Sequence, residues 1–180
     1  MKPLLGLIVL LLLPSQASSI PTIYTQEIQT HLTNTSYIQA VWVSGLIEGV
    51  SRSQGVDPNL AWALAASESA LKADCVGDKY LLHHAYGLFQ LQLGTAREVA
   101  FNLKIPGKIT PTRLLTDEYL NVKLGVAVLG WCLKENHGDY LKAIAAYKAG
   151  QDGMEAGRGF ESAVEVMNIY GRLSKITNQN

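Results

Sequence analysis

Apolar residues recur at helical spacing through most of the chain, and no stretch keeps the strict alternation of a half-buried strand. Ile38, Val41, Trp42, Leu46 and Val50 predict a first helix from Ser36 to about Gln54. Ser36 and Gln39 are spaced as a capping box, and Gly55 supplies the stop. Gly45 and Gly49 predict a groove that admits a second helix. Asp57 and Pro58 read as the N-cap and first residue of the next helix, AWALAASESALK. Leu60, Leu64 and Leu71 form its apolar stripe, with Glu68 at the border. After the polar connection ADCVGDKYLLHH, Gly87 reads as a tight turn or a close approach, and Thr95 is placed to cap a helix from about Ala96 to Leu103. IPGKITP reads as a loop. Thr116 precedes a long pattern, DEYLNVKLGVAVLGWCLKEN, apolar on one face at Leu120, Leu124, Ala127, Val128 and Trp131 and on the other at Val122, Val126, Leu129 and Leu133. Such a helix has neighbours on both sides. Asp139 caps YLKAIAAYKAG, Gly150 ends it, and GQDGMEAGRG leads to a last helix carrying Phe160, Val164, Met167 and Leu173. The predicted fold class is all-α, with at most a small hairpin between residues 72 and 86.

The first 17 residues break the helical pattern. One Lys, an apolar run from Leu4 to Leu13, and small residues at Ser15 and Ala17 read as a signal peptide. The run is too short to cross a bilayer, which takes about 20 residues. Cleavage near Ala17 is therefore expected, giving a periplasmic or secreted monomer with no stable membrane insertion. Residues 18–35 lack a period and read as a poorly ordered lead-in, residues 36–175 as one domain, and residues 176–180 as a polar tail.

Fifteen basic residues balance fifteen acidic ones without a basic run, which argues against a nucleic-acid partner. Export would place Cys75 and Cys132 where a disulfide can form; a disulfide and two buried thiols both fit the sequence. His83 and His84 have no second cluster at metal-ligand spacing and read as loop surface. The sequon at Asn34 carries meaning only in a eukaryotic secretory pathway. Glu68 is the residue with chemical promise. A carboxyl beside an apolar stripe is partly desolvated, which disfavours its charged form and suits a general acid, whereas the same Glu on an open helix edge does nothing.

Four stretches in order resemble the lysozyme-like catalytic domain of the lytic transglycosylases, the SLT family, over roughly Leu46 to Leu173. They are Glu68-Ser69, GLFQL with Thr95-Ala96 downstream, Asn121 and Gly125 four apart in the long helix, and AAYKAG. The resemblance implies a peptidoglycan-cleaving enzyme acting on the MurNAc-β-1,4-GlcNAc bond without water, with Glu68 as acid and then base and 1,6-anhydro-MurNAc ends as product. It implies no metal or organic cofactor. It places Gln90 and Tyr147 along the sugar cleft and Phe89 as its wall, with core packing as the other reading for Phe89. Ser69 either holds the Glu68 carboxylate or covers the helix end. Departures are Lys148 for the family's usual Asn and Leu93 for its usual Pro. Goose-type lysozymes, relatives of this fold, use an Asp in the loop after the Glu to activate water. Asp78 therefore leaves a muramidase as the alternative, and a binding module without turnover is the third reading. With no separate carbohydrate-binding region in view, an envelope-spanning secretion or conjugation machine is the partner expected beside peptidoglycan.

Overall fold

The computed structural model describes Tyr24, Glu27, Ile28, residues 36–77 and residues 84–177, with side chains to Lys175. The signal-peptide segment, most of the lead-in, Asp78, His83 and residues 178–180 lie outside the described residues.

Among the described residues, eight helices surround a small three-stranded sheet. α1 spans Tyr37–Gln54 and ends at Gly55, whose φ of 70° is left-handed. Ser36 precedes α1, but its side chain makes no capping bond, so the expected capping box does not form. Among the described residues nothing lies within 4 Å of a Cβ placed at Gly49, so none of the described helices packs there. α2, Pro58–Ser69, begins as the sequence predicts: the Asp57 carboxylate accepts from the Asn59 amide at 2.8 Å, and Pro58 takes the first position. Every residue from Leu60 to Ala66 is buried, so the helix is covered all round rather than along one stripe. It stops at Ser69, two residues short of Leu71, because Ala70 and Leu71 turn left-handed at φ 52° and 60°.

β1, β2 and β3 are Val76–Gly77, Ala85–Tyr86 and Leu91–Gln92, antiparallel in that order, with Val76 opposite Tyr86 and Tyr86 opposite Leu91. The sheet is one strand larger than the expected hairpin. α3 spans Leu93–Asn102, so Thr95 lies in its first turn instead of capping it. α4, Pro111–Thr116, begins on the last residue of the predicted loop: the Thr110 hydroxyl accepts from the Arg113 amide at 3.1 Å, and Pro111 starts the turn. α5, Glu118–Glu135, is capped by Asp117. It packs against α1, α3, α4 and α6, which accounts for apolar residues on more than one face. Trp131, near its end, stays 39% exposed. Asp139 caps α6, Tyr140–Ala149, as expected, and Gly150 ends it. α7, Gln151–Glu155, is a short turn inside the glycine-rich link. α8, Phe160–Thr177, packs on α2 and α6 and runs past residue 175.

Two polar ties fix this packing around α2. The second oxygen of Asp57 accepts from the hydroxyls of Tyr170 at 3.0 Å and Tyr140 at 3.3 Å, joining the start of α2 to α6 and α8. Burial and the Asp57 charge push the Tyr140 phenol up to about 12. On the far side, Tyr24 stacks on Trp62 with ring centres 5.3 Å apart, and Glu27 pairs with Arg172 of α8 at 3.0 Å. Tyr24, Glu27 and Ile28 are all buried, although the stretch they belong to shows no helical period.

Candidate active site

Glu68 sits one residue before the end of α2, where the left-handed pair Ala70-Leu71 turns the chain away from the helix. It lines a cleft of about 760 Å³ together with Gln90, Thr95, Cys132, Tyr147 and Lys148. Only 14% of its side chain is exposed. The carboxyl is therefore largely shielded yet opens on a space wide enough for a polymer chain.

Gln90 enters the cleft from the turn Gly87–Gln90, which three side chains tie down. Asn121, 1% exposed on α5, accepts from the Phe89 amide at 2.9 Å and donates to the carbonyls of Tyr86 at 2.9 Å and Leu114 at 3.0 Å. Ser69 donates to the Leu88 carbonyl at 2.9 Å, and Tyr147 to the Phe89 carbonyl at 2.8 Å. Two glycines make room for the turn. At Gly87, with φ 77°, a Cβ would overlap the Asn121 amide; at Gly125 it would overlap the Phe89 ring. Each backbone group of the turn that faces inward thus has a partner, as burial requires.

The residues expected to bind sugar divide into two groups. Gln90, Tyr147 and Glu68 share the cleft. Gln90 stands at φ 45°, and its Nε2 donates to the carbonyls of Gly87 at 2.8 Å and Cys75 at 3.1 Å. Its amide hydrogens are spent on the scaffold, and Oε1, which rests over Gly77 so closely that a Cβ there would overlap it, is the acceptor that remains. Phe89 and Ser69 do not line the cleft. Phe89 is fully buried against Gly125, because the Asn121 bond to its amide turns the ring into the core. Ser69 is 6% exposed and bonds to Ala65 and Leu88 carbonyls, so its hydroxyl ties the helix to the turn. Asp78 falls outside the described residues.

Lys148, noted in the sequence only as a departure, is a charged neighbour of Glu68 among the described residues. Its Nζ lies 2.9 Å from Glu68 Oε1 and 3.5 Å from the Ser67 hydroxyl. Burial, then the Glu68 charge, then Cys132 raise the Tyr147 phenol well above its usual range, so it stays a neutral donor. Burial likewise raises the Cys132 thiol to about 11. No disulfide joins Cys75 to Cys132. Tyr147→Phe is expected to cost about 1–2 kcal/mol in chemical denaturation, since the Phe89 carbonyl would lose its donor. A loss below about 0.5 kcal/mol would mean that water replaces the hydroxyl.

Comparison with known proteins sets this geometry in a family. A profile described as the Transglycosylase SLT domain matches residues 45–159, more than half of the chain. No curated protein matches it. Among solved structures, the inactive mutant of the lytic transglycosylase Slt from Pseudomonas aeruginosa is 22% identical, with a TM-score of 0.55 over 72% of this chain. The 70-kDa soluble lytic transglycosylase from Escherichia coli is 24% identical, with a TM-score of 0.54 over 72%. A complex of a 70-kDa soluble lytic transglycosylase with bulgecin A is 22% identical, with a TM-score of 0.57 over 86%. The chain covers 22%, 22% and 25% of those longer proteins, respectively, and the likeness is one of fold. By the profile match, with Glu68, the GLFQL turn, Asn121, Gly125 and Tyr147 all inside it, the chain belongs to the Transglycosylase SLT domain family.

Proposed function

We propose that the protein is an exported peptidoglycan lytic transglycosylase that cleaves the MurNAc-β-1,4-GlcNAc bond and leaves 1,6-anhydro-MurNAc ends. The observation that carries the reading is the position of Glu68, 14% exposed at a helix end that opens on the cleft. Glu68 is also the sole carboxylate among the described residues lining that cleft. Ordinary glycosidases need a second carboxylate as nucleophile or as base for water. One carboxyl suffices when the substrate supplies its own nucleophile. Glu68 gives its proton to the glycosidic oxygen, and the bond from C1 of MurNAc to that oxygen breaks. The C6 hydroxyl of the same sugar then bonds to C1 and returns its proton to the Glu68 carboxylate. Atoms balance without water, and the residue ends as it began. Tyr147, neutral and fixed on the Phe89 carbonyl, holds the wall against which the sugar lies.

The apolar run and the Ser15 and Ala17 pattern support export, and no helix among the described residues is long and apolar enough to cross a membrane. Product analysis tests the reaction. Sacculi digested by the purified protein should release muropeptides one water lighter than those with reducing ends. Reducing ends alone would make it a hydrolase, and sacculus binding with no release would make it a binding module.

A further inference from the structure

We propose that Lys148 is a positioning residue that holds Glu68 as a carboxylate while the cleft is empty, so that the acid step begins only after a saccharide has displaced the ammonium. This rests on the reading of Glu68 as the acid. The Lys148 head lies 2.9 Å from Glu68 Oε1 and 3.5 Å from the Ser67 hydroxyl, so it sits against two consecutive residues of α2. Both side chains of the pair are mostly shielded, at 17% and 14% exposure. An opposite charge at that distance, with little water to screen it, favours the ionised carboxyl.

The other titratable groups lining the cleft among the described residues are Cys132 on α5 and Tyr147 on α6. Burial keeps both neutral near pH 7, so neither adds a charge beside the Glu68–Lys148 pair. A paired carboxylate has no proton to give. A glycan strand seated against Glu68 brings its glycosidic oxygen to the place the ammonium occupies. The displaced Lys148 moves into the open cleft, and the carboxyl, now covered by sugar, takes a proton from solvent and becomes the acid. When product leaves, the pair re-forms and that proton returns to solvent. Protonation of the catalytic group is thereby coupled to occupancy of the cleft.

The test uses Lys148→Asn and Lys148→Arg with soluble glycan strands. The pH profile of kcat/KM reports groups in the free enzyme, and that of kcat reports groups in the complex. In Lys148→Asn the alkaline limb of kcat/KM should move to higher pH by about one unit, while the kcat limb stays in place. Lys148→Arg should keep the wild-type limb. Carbon-13 NMR titration of the Glu68 carboxyl in the free protein, assigned by its disappearance in Glu68→Gln, should shift upward in Lys148→Asn without any need for turnover. Lys148→Gln replaces the Asn variant if that one unfolds. A carboxyl titration that does not move overturns the proposal and leaves the role of Glu68 standing. Equal movement of both limbs also overturns it, since the ammonium would then remain in the complex. Normal cleavage by Glu68→Gln overturns the functional reading instead, whatever the titration does.

Discussion

Glu68→Gln is expected to lower glycan cleavage by about 10³-fold or more while leaving the fold in place. General acid–base assistance contributes about 10² to 10⁴ to a rate, and in the proposed reaction one residue acts in both proton transfers. The amide is nearly the same size as the carboxyl and keeps an oxygen toward Lys148, so packing is undisturbed. Loss of the ion pair is offset in part, because Lys148 lines the open cleft and its ammonium can swing into it. Thermal unfolding should therefore shift by no more than about 5 °C. Glu68→Asp separates chemistry from charge. It retains the carboxylate but draws it back by about one methylene, and a misplacement of about 1 Å can cost about 10²-fold. The expected order is wild type, then Asp, then Gln, read by release of muropeptides from sacculi. Turnover near wild type in the Gln variant would remove Glu68 from the mechanism.

What the sequence made legible was mainly local. Asp57-Pro58 and Asp139 announce helix starts because the capping group and the amides it serves lie within three residues of each other. Gly55 announces a stop for the same reason. Misreadings came where two local signals compete. Thr110-Pro111 looks like a breaker but starts a helix, since Pro lacks only an amide that a first turn leaves unpaired.

The site divides along the same line. Glu68 and Tyr147 could be placed from motifs, but the roles of Ser69 and Phe89 depend on Leu88, Asn121 and Gly125, which the fold brings in from elsewhere. The approach of Lys148 to Glu68 joins the ends of two helices and leaves no trace in the spacing of either. Burial of Tyr24 and Glu27 is illegible for a related reason. The stretch has no periodic face, and its partners, Trp62 and Arg172, belong to α2 and α8.

The largest loss of stability should follow Asn121→Leu. The new side chain branches at the same carbon but is larger, so no cavity opens and overpacking adds to the loss. What disappears is an acceptor for the Phe89 amide and donors to the Tyr86 and Leu114 carbonyls, all within 3.0 Å of an amide that is 1% exposed. A buried polar group left unpaired costs about 1–3 kcal/mol, so three together cost about 3–9 kcal/mol. That is a large part of the 5–15 kcal/mol by which domains are usually stable, roughly speaking. The effect reaches the site through the turn. Without its amide anchor Phe89 is free to leave the space over Gly125, and the carbonyl that orients Tyr147 moves with it. Chemical denaturation should show the loss, and cleavage should fall even at temperatures where the variant is folded. Asn121→Asp gives the sign of the interaction. It keeps the acceptor but aims a charge at two carbonyls, so its protonated form is the one the fold favours. Its folded-state carboxyl is raised, and its stability should be greatest at low pH and fall as pH rises through about 4. A Leu variant within about 1 kcal/mol of wild type would mean that the turn is held by packing alone.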